Sequence, residues 1–466
     1  MRQRVSGASV ASILVIVMLA AASLTQVSTR FAEAPGIDFF YFWAMPTAAR
    51  LGGHTLGSPY TNTVQYRATL QSHVAASGDP ALHAVNRFWS GAPRPSASPL
   101  FYTAFAPPLE YSTALRIFRV LQVGAFVGGC VLVGAMYGVG WLPALGLGLV
   151  SMLISQPVLS DLRVGNVGTL QFAALAGLLW LASLLPRMRG FGIRAALVAA
   201  LSAGLVTLVL FKPNIAPVVA LLGVHVAVRF GPRLLGLAAL TAVPVAAALL
   251  IAPCLYFGSS TIWQDWWRLL SGGRVVSGTI AGSLIERGNY ATPALLMSWL
   301  GRVATGRMIG VFVLVVLGLS LAVAIAWRAR REAGAIGVRS IVGAARGVLG
   351  DVHATAAIGI VATLAAAPLT WLHYHILLLI PAVWALTAAR GGRLVPGLAA
   401  ASLLANSGVA GLGLWAMGWG SSIPATIALA WIPLWAAVLL VVADPHGESA
   451  TPPPAHPAPR RSRRRR

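Results

Sequence analysis

Eleven carboxylates are all the acid chemistry that this chain of 466 residues can draw on. One of them, Asp38, opens an aromatic run, Pro35-Gly36-Ile37-Asp38-Phe39-Phe40-Tyr41-Phe42-Trp43. A carboxylate there has two uses. It can cap a helix N-terminus by accepting hydrogen bonds from free backbone amides. It can also act as a general base at the membrane surface, taking a proton from a substrate hydroxyl. Lys212 is the single lysine among 34 basic residues. Its ammonium is a lone point charge beside an apolar run, where a lysine commonly snorkels to an interface. His373 and His375, in Trp371-Leu372-His373-Tyr374-His375, offer further donors or a polar belt at a helix end. Asn166, Gln171 and Asn289 can meet a polar substrate or hydrogen-bond neighbouring helices.

Other chemistries lack their signatures. There is no His-Glu-x-x-His, phosphate-cradling glycine loop, Ser-His-Asp order or Asp-x-Asp pair. Cys130 and Cys254 lie in apolar runs and supply neither metal spacing nor a disulfide framework. The expectation is no metal and no cofactor.

The elements that position these residues follow from composition. The chain is 57% hydrophobic and only 10% charged, with a mean hydropathy of +0.78. A soluble domain carries about a quarter charged residues, so the main solvent here is lipid. The apolar stretches are continuous rather than alternating, which predicts helices and not a barrel. The run from Val10 to Val27 is long and lacks a small-x-small cleavage site, so it reads as an uncleaved first span. Further spans are expected near 112–136, 141–157, 167–186, 195–212, 214–230, 234–257, 308–327, 353–369, 373–389, 394–416 and 423–442, about twelve in all. No internal repeat is visible, so nothing suggests the inverted halves common in transporters.

Charge orients the bundle. The net charge of +23 comes from arginines in short loops and in the tail Arg460-Arg461-Ser462-Arg463-Arg464-Arg465-Arg466. That is the pattern of the positive-inside rule, not of a nucleic-acid binder. With both termini cytoplasmic, the arginine-dense loops at 187–194, 229–233, 327–346 and 390–393 all fall inside. Two long segments, 29–111 and 258–307, then lie outside, with interfacial amphipathic helices expected in them. Residues 1–445 read as one membrane domain, and 446–466 as a disordered Pro/Arg-rich cytoplasmic tail. On this topology Glu33, Asp38, Asp79, Glu110, Asp161, Asp265 and Glu286 are the external carboxylates. Glu110 and Asp161 are the alternatives to Asp38 as a base.

The order Gly36-Ile37-Asp38-Phe39 through Tyr41, then Leu51-Gly52-Gly53 and Ser58-Pro59-Tyr60, resembles the opening of glycosyltransferase family 87. Phe105-Ala106-Pro107-Pro108-Leu109, Val164-Gly165-Asn166-Val167-Gly168, Phe211-Lys212-Pro213, Gly288-Asn289-Tyr290-Ala291 and Trp371-Leu372-His373-Tyr374-His375 are similar to its later motifs, in order. The 164–168 element departs from the family's Gly-Gln-x-Asn in both amide positions. The resemblance implies an all-α GT-C-like bundle with amphipathic helices in a large first external loop. It implies inverting transfer of one sugar, mannose being the commonest, from a polyprenyl-phosphate donor to a lipid-linked or cell-envelope glycan. Asp38 would be the base, while Lys212, His373 and Arg287, with Arg163 as a further candidate, would meet the donor phosphate. Tyr41, Asn166, Gln171, Asn289 and His375 would line the substrate. Such an enzyme sits in the plasma or inner membrane with its site external. Its partners are the donor, the acceptor and membrane lipids, without nucleic acid. The competing readings are a lipid-linked glycan ligase or polymerase, and a flippase; the latter usually carries ionisable residues at mid-span.

Overall fold

In lipid, the backbone amides of a long apolar run can pair only within the run or around a closed barrel, so continuous runs become helices. The computed structural model describes residues 7–89, 97–105, 107–271, 289–300, 306–388 and 393–444, and no strand occurs among them. The first helices are α1 (Gly7–Glu33), α2 (Ile37–Leu51), α3 (Thr63–Ala76), α4 (Pro80–Trp89), α5 (Pro99–Ala104) and α6 (Tyr111–Met136). Then come α7 (Trp141–Ile154), α8 (Gln156–Val164), α9 (Gly168–Leu184), α10 (Phe191–Phe211), α11 (Ala216–Phe230) and α12 (Pro232–Phe257). Next are α13 (Ile262–Ser271), α14 (Thr292–Trp299), α15 (Gly306–Ala333), α16 (Val338–Gly350) and α17 (Val352–Ala366). The chain closes with α18 (Leu379–Ala388), α19 (Leu394–Ala405), α20 (Gly408–Ala416), α21 (Ile423–Ala428) and α22 (Trp431–Ala443).

This is an all-α membrane architecture. Seven helical segments are long and apolar enough to cross a bilayer, an eighth being the pair α16 and α17 bent by 85°. Four shorter apolar helices, Leu14–Thr29, Trp141–Ile154, Leu372–Ala388 and Leu394–Ala405, occupy the remaining expected spans. The segment expected at 394–416 is broken into α19 and α20. Ser407 interrupts it, its Oγ accepting from Ala410 N at 3.2 Å and so starting a new helix. The expected cytoplasmic tail lies outside the described residues.

Among the described residues two large apolar cores form, beside a small cluster of Leu295 and Ala428. The larger runs between the long helices and is built from Leu, Val, Ala and Phe, with Phe126 and Phe172 meeting at its centre. The smaller is aromatic and gathers around α2. There the structure differs from the expectation of an interfacial helix. Phe39, Phe40 and Trp43 have no exposed surface; Phe39 packs on Phe118 at 4.9 Å and Trp43 on Tyr111 at 5.2 Å between ring centroids. Burying so much ring area among α3 to α6 outweighs lying in the headgroups. Polar staples fix the assembly. Trp43 Nε1 donates to Pro108 O at 2.9 Å, Arg50 Nη2 to Pro107 O at 2.6 Å, and Tyr111 Oη to Pro35 O. Helix α13 better fits a surface helix, with Trp266 buried and Trp267 63% exposed.

Candidate active site

Helix α2 runs from Ile37, so Gly36, at φ 71°, holds the cap position. Asp38 is therefore inside the first turn and does not cap the helix. Its Oδ2 instead accepts a hydrogen bond from Asn166 Nδ2 at 2.7 Å.

Asn166 reaches Asp38 because the turn between α8 and α9 presses against α2. Gly165 ends α8 with φ +71°, and a Cβ there would lie 2.7 Å from Phe39 Cβ. Both the backbone angle and the space demand glycine. The turn is held by Asp161, which has no exposed surface. Its carboxylate accepts from Gly168 N and Thr169 N, each at 2.9 Å. Its carbonyl accepts from Gly165 N at 2.9 Å and Asn166 N at 3.1 Å. Gln122 Nε2, from α6, donates to Asn166 O at 2.6 Å and lies 3.3 Å from Asp161 Oδ2. Asp161 thus closes the start of α9, and its oxygens are committed to that task.

Lys212 comes from the break between α10 and α11. The proline after it forces an extended conformation, φ −148° and ψ 92°, which ends α10. Lys212 Nζ donates to Asn166 Oδ1 at 3.1 Å and stands 4.4 Å from the centre of the Tyr374 ring. Asn166 therefore joins a carboxylate to an ammonium, one through its N–H and the other through its oxygen. Asp38, Tyr41, Asn166, Lys212 and Tyr374 each retain partial exposure.

The surroundings tune these groups. Burial raises the Asp38 carboxyl to about 6, against the Asn166 hydrogen bond; Asp161 adds to the rise and Lys212 opposes it. Burial lowers the Lys212 ammonium to about 8, opposed by Asp161 and Asp38. The Tyr41 phenol is pushed up to about 12 by burial and by Asp38, so it remains a neutral donor. At neutral pH the cluster pairs an ionised carboxylate with a charged amine, and a base of that strength suits general-base work.

The other candidates fall elsewhere. Gln171 is buried and donates to Asn214 Oδ1 at 2.8 Å, bracing the Lys212 break. Asn289 is 1% exposed and uses its amide on backbone alone: Oδ1 accepts from Ala291 N and Thr370 N, and Nδ2 donates to Pro368 O. Its substrate-binding expectation gives way to a loop-closing role. His373 lies in the 3-10 turn Leu372–Leu378, buried, with its ring 4.7 Å from that of Tyr374. His375 is buried in the same turn, and neither ring nitrogen has a hydrogen-bond partner. Arg163 is exposed on α8. Arg287 and Glu286 lie outside the described residues.

The other carboxylates expected outside, where their side chains are described, are occupied or remote. Asp79 accepts from Ser112 N and Oγ, tying α4 to α6. Glu110 is exposed and accepts from Thr113 Oγ1 at 2.8 Å. Asp265 pairs with Arg268 at 3.5 Å. Among the described residues no group of three or more His, Cys, Asp or Glu side chains is placed to hold a metal ion.

Three contributors were not singled out from sequence: Gln122, Asn214 and Tyr374. Gln122 is a lone amide in the apolar α6, and Tyr374 stands between His373 and His375. Beyond the turn that carries Tyr374, a cavity of about 370 Å³ runs along α20 and α21, with Gln156, Tyr290 and Leu372 on one wall and Trp415 and Ile427 on another. No family model, curated protein or solved structure matches the chain.

Proposed function

We propose that the chain is a GT-C-type membrane glycosyltransferase of the family 87 kind, moving one sugar, mannose first among the choices, from a polyprenyl phosphate to a lipid-linked or cell-envelope glycan. The observation that carries this reading is the Asp38–Asn166–Lys212 chain of hydrogen bonds at 2.7 and 3.1 Å. Inverting transfer from a phosphate-linked sugar needs a base for the acceptor and a cation for the leaving phosphate, held close but apart. Asp38 takes the acceptor hydroxyl proton as that oxygen bonds to the anomeric carbon. The bond from that carbon to the phosphate oxygen breaks, its electron pair leaving with the polyprenyl phosphate. Lys212 offsets the charge that builds on the departing phosphate. Asn166 keeps the two from collapsing into a direct ion pair, in which neither would serve. The external face supplies the setting, since the arginine-dense loops occupy the other ends of α9, α10 and α11. The apolar stretches of the 370 Å³ cavity suit part of an isoprenoid chain.

The test is Asp38→Asn in purified protein given a panel of polyprenyl-phosphate sugars and a membrane lipid extract, with products read by mass spectrometry. Asparagine still accepts the Asn166 N–H but cannot take the proton. Transfer at least about a hundredfold slower, with donor binding kept, is expected. Turnover near that of the wild type would overturn the assignment.

A further inference from the structure

A polar cavity lies at the far end of the helices that meet at Lys212. Lys212 precedes and Arg229 nearly ends the apolar segment Pro213–Phe230, whose 18 residues cover about 27 Å at helical rise. Helix α17 likewise starts at the cavity, after Asp351, and ends near the Pro368–Thr370 stretch that Asn289 holds. The cavity, about 510 Å³, is lined by Val228, Arg229, Arg346, Gly347, Gly350 and Asp351.

The positive charge there is uncommitted. Arg229 and Arg346 are exposed, and neither forms an ion pair or hydrogen bond with another described residue. Asp351, the one anion in the lining, caps α17 by accepting from His353 N at 2.8 Å. Arg328 borders the cavity, 3.5 Å from where a Cβ on Gly347 would stand, but its charge is matched by Glu332 at 2.8 Å. Gly347 and Gly350 leave the floor without side chains, so a ligand can approach the backbone closely.

The placement of α16 says where a ligand comes from. It turns 85° from α17, so when α17 crosses the bilayer α16 lies along its surface. Ala344 and Val348 face the protein, while Val338 and Val342 are 80% and 44% exposed on a helix that carries arginines and no acid. Such a helix places its valines among acyl chains and its arginines among headgroups.

We propose that the cavity between α11 and α16 is a phosphate site occupied by the headgroup of an acidic phospholipid, gripped by Arg229 and Arg346. Guanidinium forks bind phosphate oxygens two at a time, and basic groups near a membrane surface draw acidic lipids to it. This does not depend on the transfer reaction.

The experiment is native mass spectrometry of the full chain in mild detergent with phosphatidylglycerol and phosphatidylcholine in equal amounts. The wild type is expected to retain phosphatidylglycerol preferentially. Arg229→Gln/Arg346→Gln should weaken that retention about thirtyfold, whereas Arg189→Gln/Arg330→Gln, which removes two exposed arginines outside both the cavity lining and α16, should keep it. Arg229→Lys/Arg346→Lys should retain an intermediate amount, and an unchanged melting temperature would show that the Gln pair folds. Equal retention by the Arg229/Arg346 pair of Gln variants, or no preference between the two lipids, would overturn the proposal. Displacement of the lipid by millimolar inorganic phosphate would overturn it too, by making the site one for water-borne phosphate.

Discussion

Asn166 and Asn289 occupy similar places in sequence, each in a short polar turn beside an apolar helix, and the fold uses them in opposite ways. Asn289 is sealed. Its three hydrogen bonds all go to backbone at 291, 368 and 370, and together with the Asn289–Trp371 bridge they pin one loop to another. Asn166 is partly open and spends one hydrogen bond on its neighbour, Val167 N, while the others go to Asp38 and Lys212. A backbone partner fixes where a chain runs. An ionisable partner fixes where a charge sits and how tightly it holds its proton. The difference separates a structural amide from a functional one.

The largest effect that would sharpen this contrast is expected from Lys212→Ala. Removing the cation from the leaving phosphate should slow transfer about 10²–10³-fold, with the protein still folded because Lys212 is only partly buried. Normal turnover with normal donor saturation would return Lys212 to interface snorkelling.

The asparagines themselves come next. Asn166→Ala removes hydrogen bonds to two charged groups and should lower turnover about ten- to a hundredfold. Asn289→Ala should instead destabilise the fold by about 1–3 kcal/mol through the orphaned amides of Ala291 and Thr370. Well below its melting temperature that variant should turn over normally. If thermal melting and steady-state rates gave the reverse assignment, the comparison would collapse.

The pH profile tests the charges directly. Asp38 must be ionised to accept a proton, so the rate should climb as pH rises through about 6. Lys212 must be charged to meet phosphate, so the rate should fall as pH rises through about 8. In the residual activity of Asp38→Asn the acid limb should vanish and the alkaline limb remain. An acid limb that persisted would belong to another group.

How much of this was readable beforehand depends on the distance between partners. The helical membrane class was legible because continuous apolar runs leave the backbone little choice. Asp38 was legible as a candidate through its aromatic setting. Its escape from the capping role was not, because that depends on the helix starting one residue earlier, at Ile37, with Gly36 in the cap position. The burial of α2 was equally hidden: an aromatic run reads alike as interfacial or core until α3 to α6 close over it. Asp161 looked like an alternative base, and only the turn at 165–169 shows its oxygens committed. Asn166 and Asn289 could not be told apart, since the partners of one lie 128 and 46 residues away and the distant partners of the other about 80.

The smallest effect is expected at Tyr374, and it separates a charge held by its surroundings from one held by Asn166 alone. The Tyr374 ring lies 4.4 Å from Lys212 Nζ, and the face of an aromatic ring favours the charged amine over the neutral one. Replacing it by leucine removes that preference while keeping an apolar side chain in the turn. The ammonium should then lose its proton more easily, so the alkaline limb should move to lower pH. A cation–ring contact is worth about 0.5–2 kcal/mol, which corresponds to a shift of about 0.4–1.5 pH units. Tyr374→Phe keeps the ring and should leave the limb in place. The acid limb should stay put in both variants, because Asp38 is bonded to Asn166 and not to the ring. If leucine and phenylalanine moved the limb equally, the phenol oxygen and not the ring face would be what Lys212 senses.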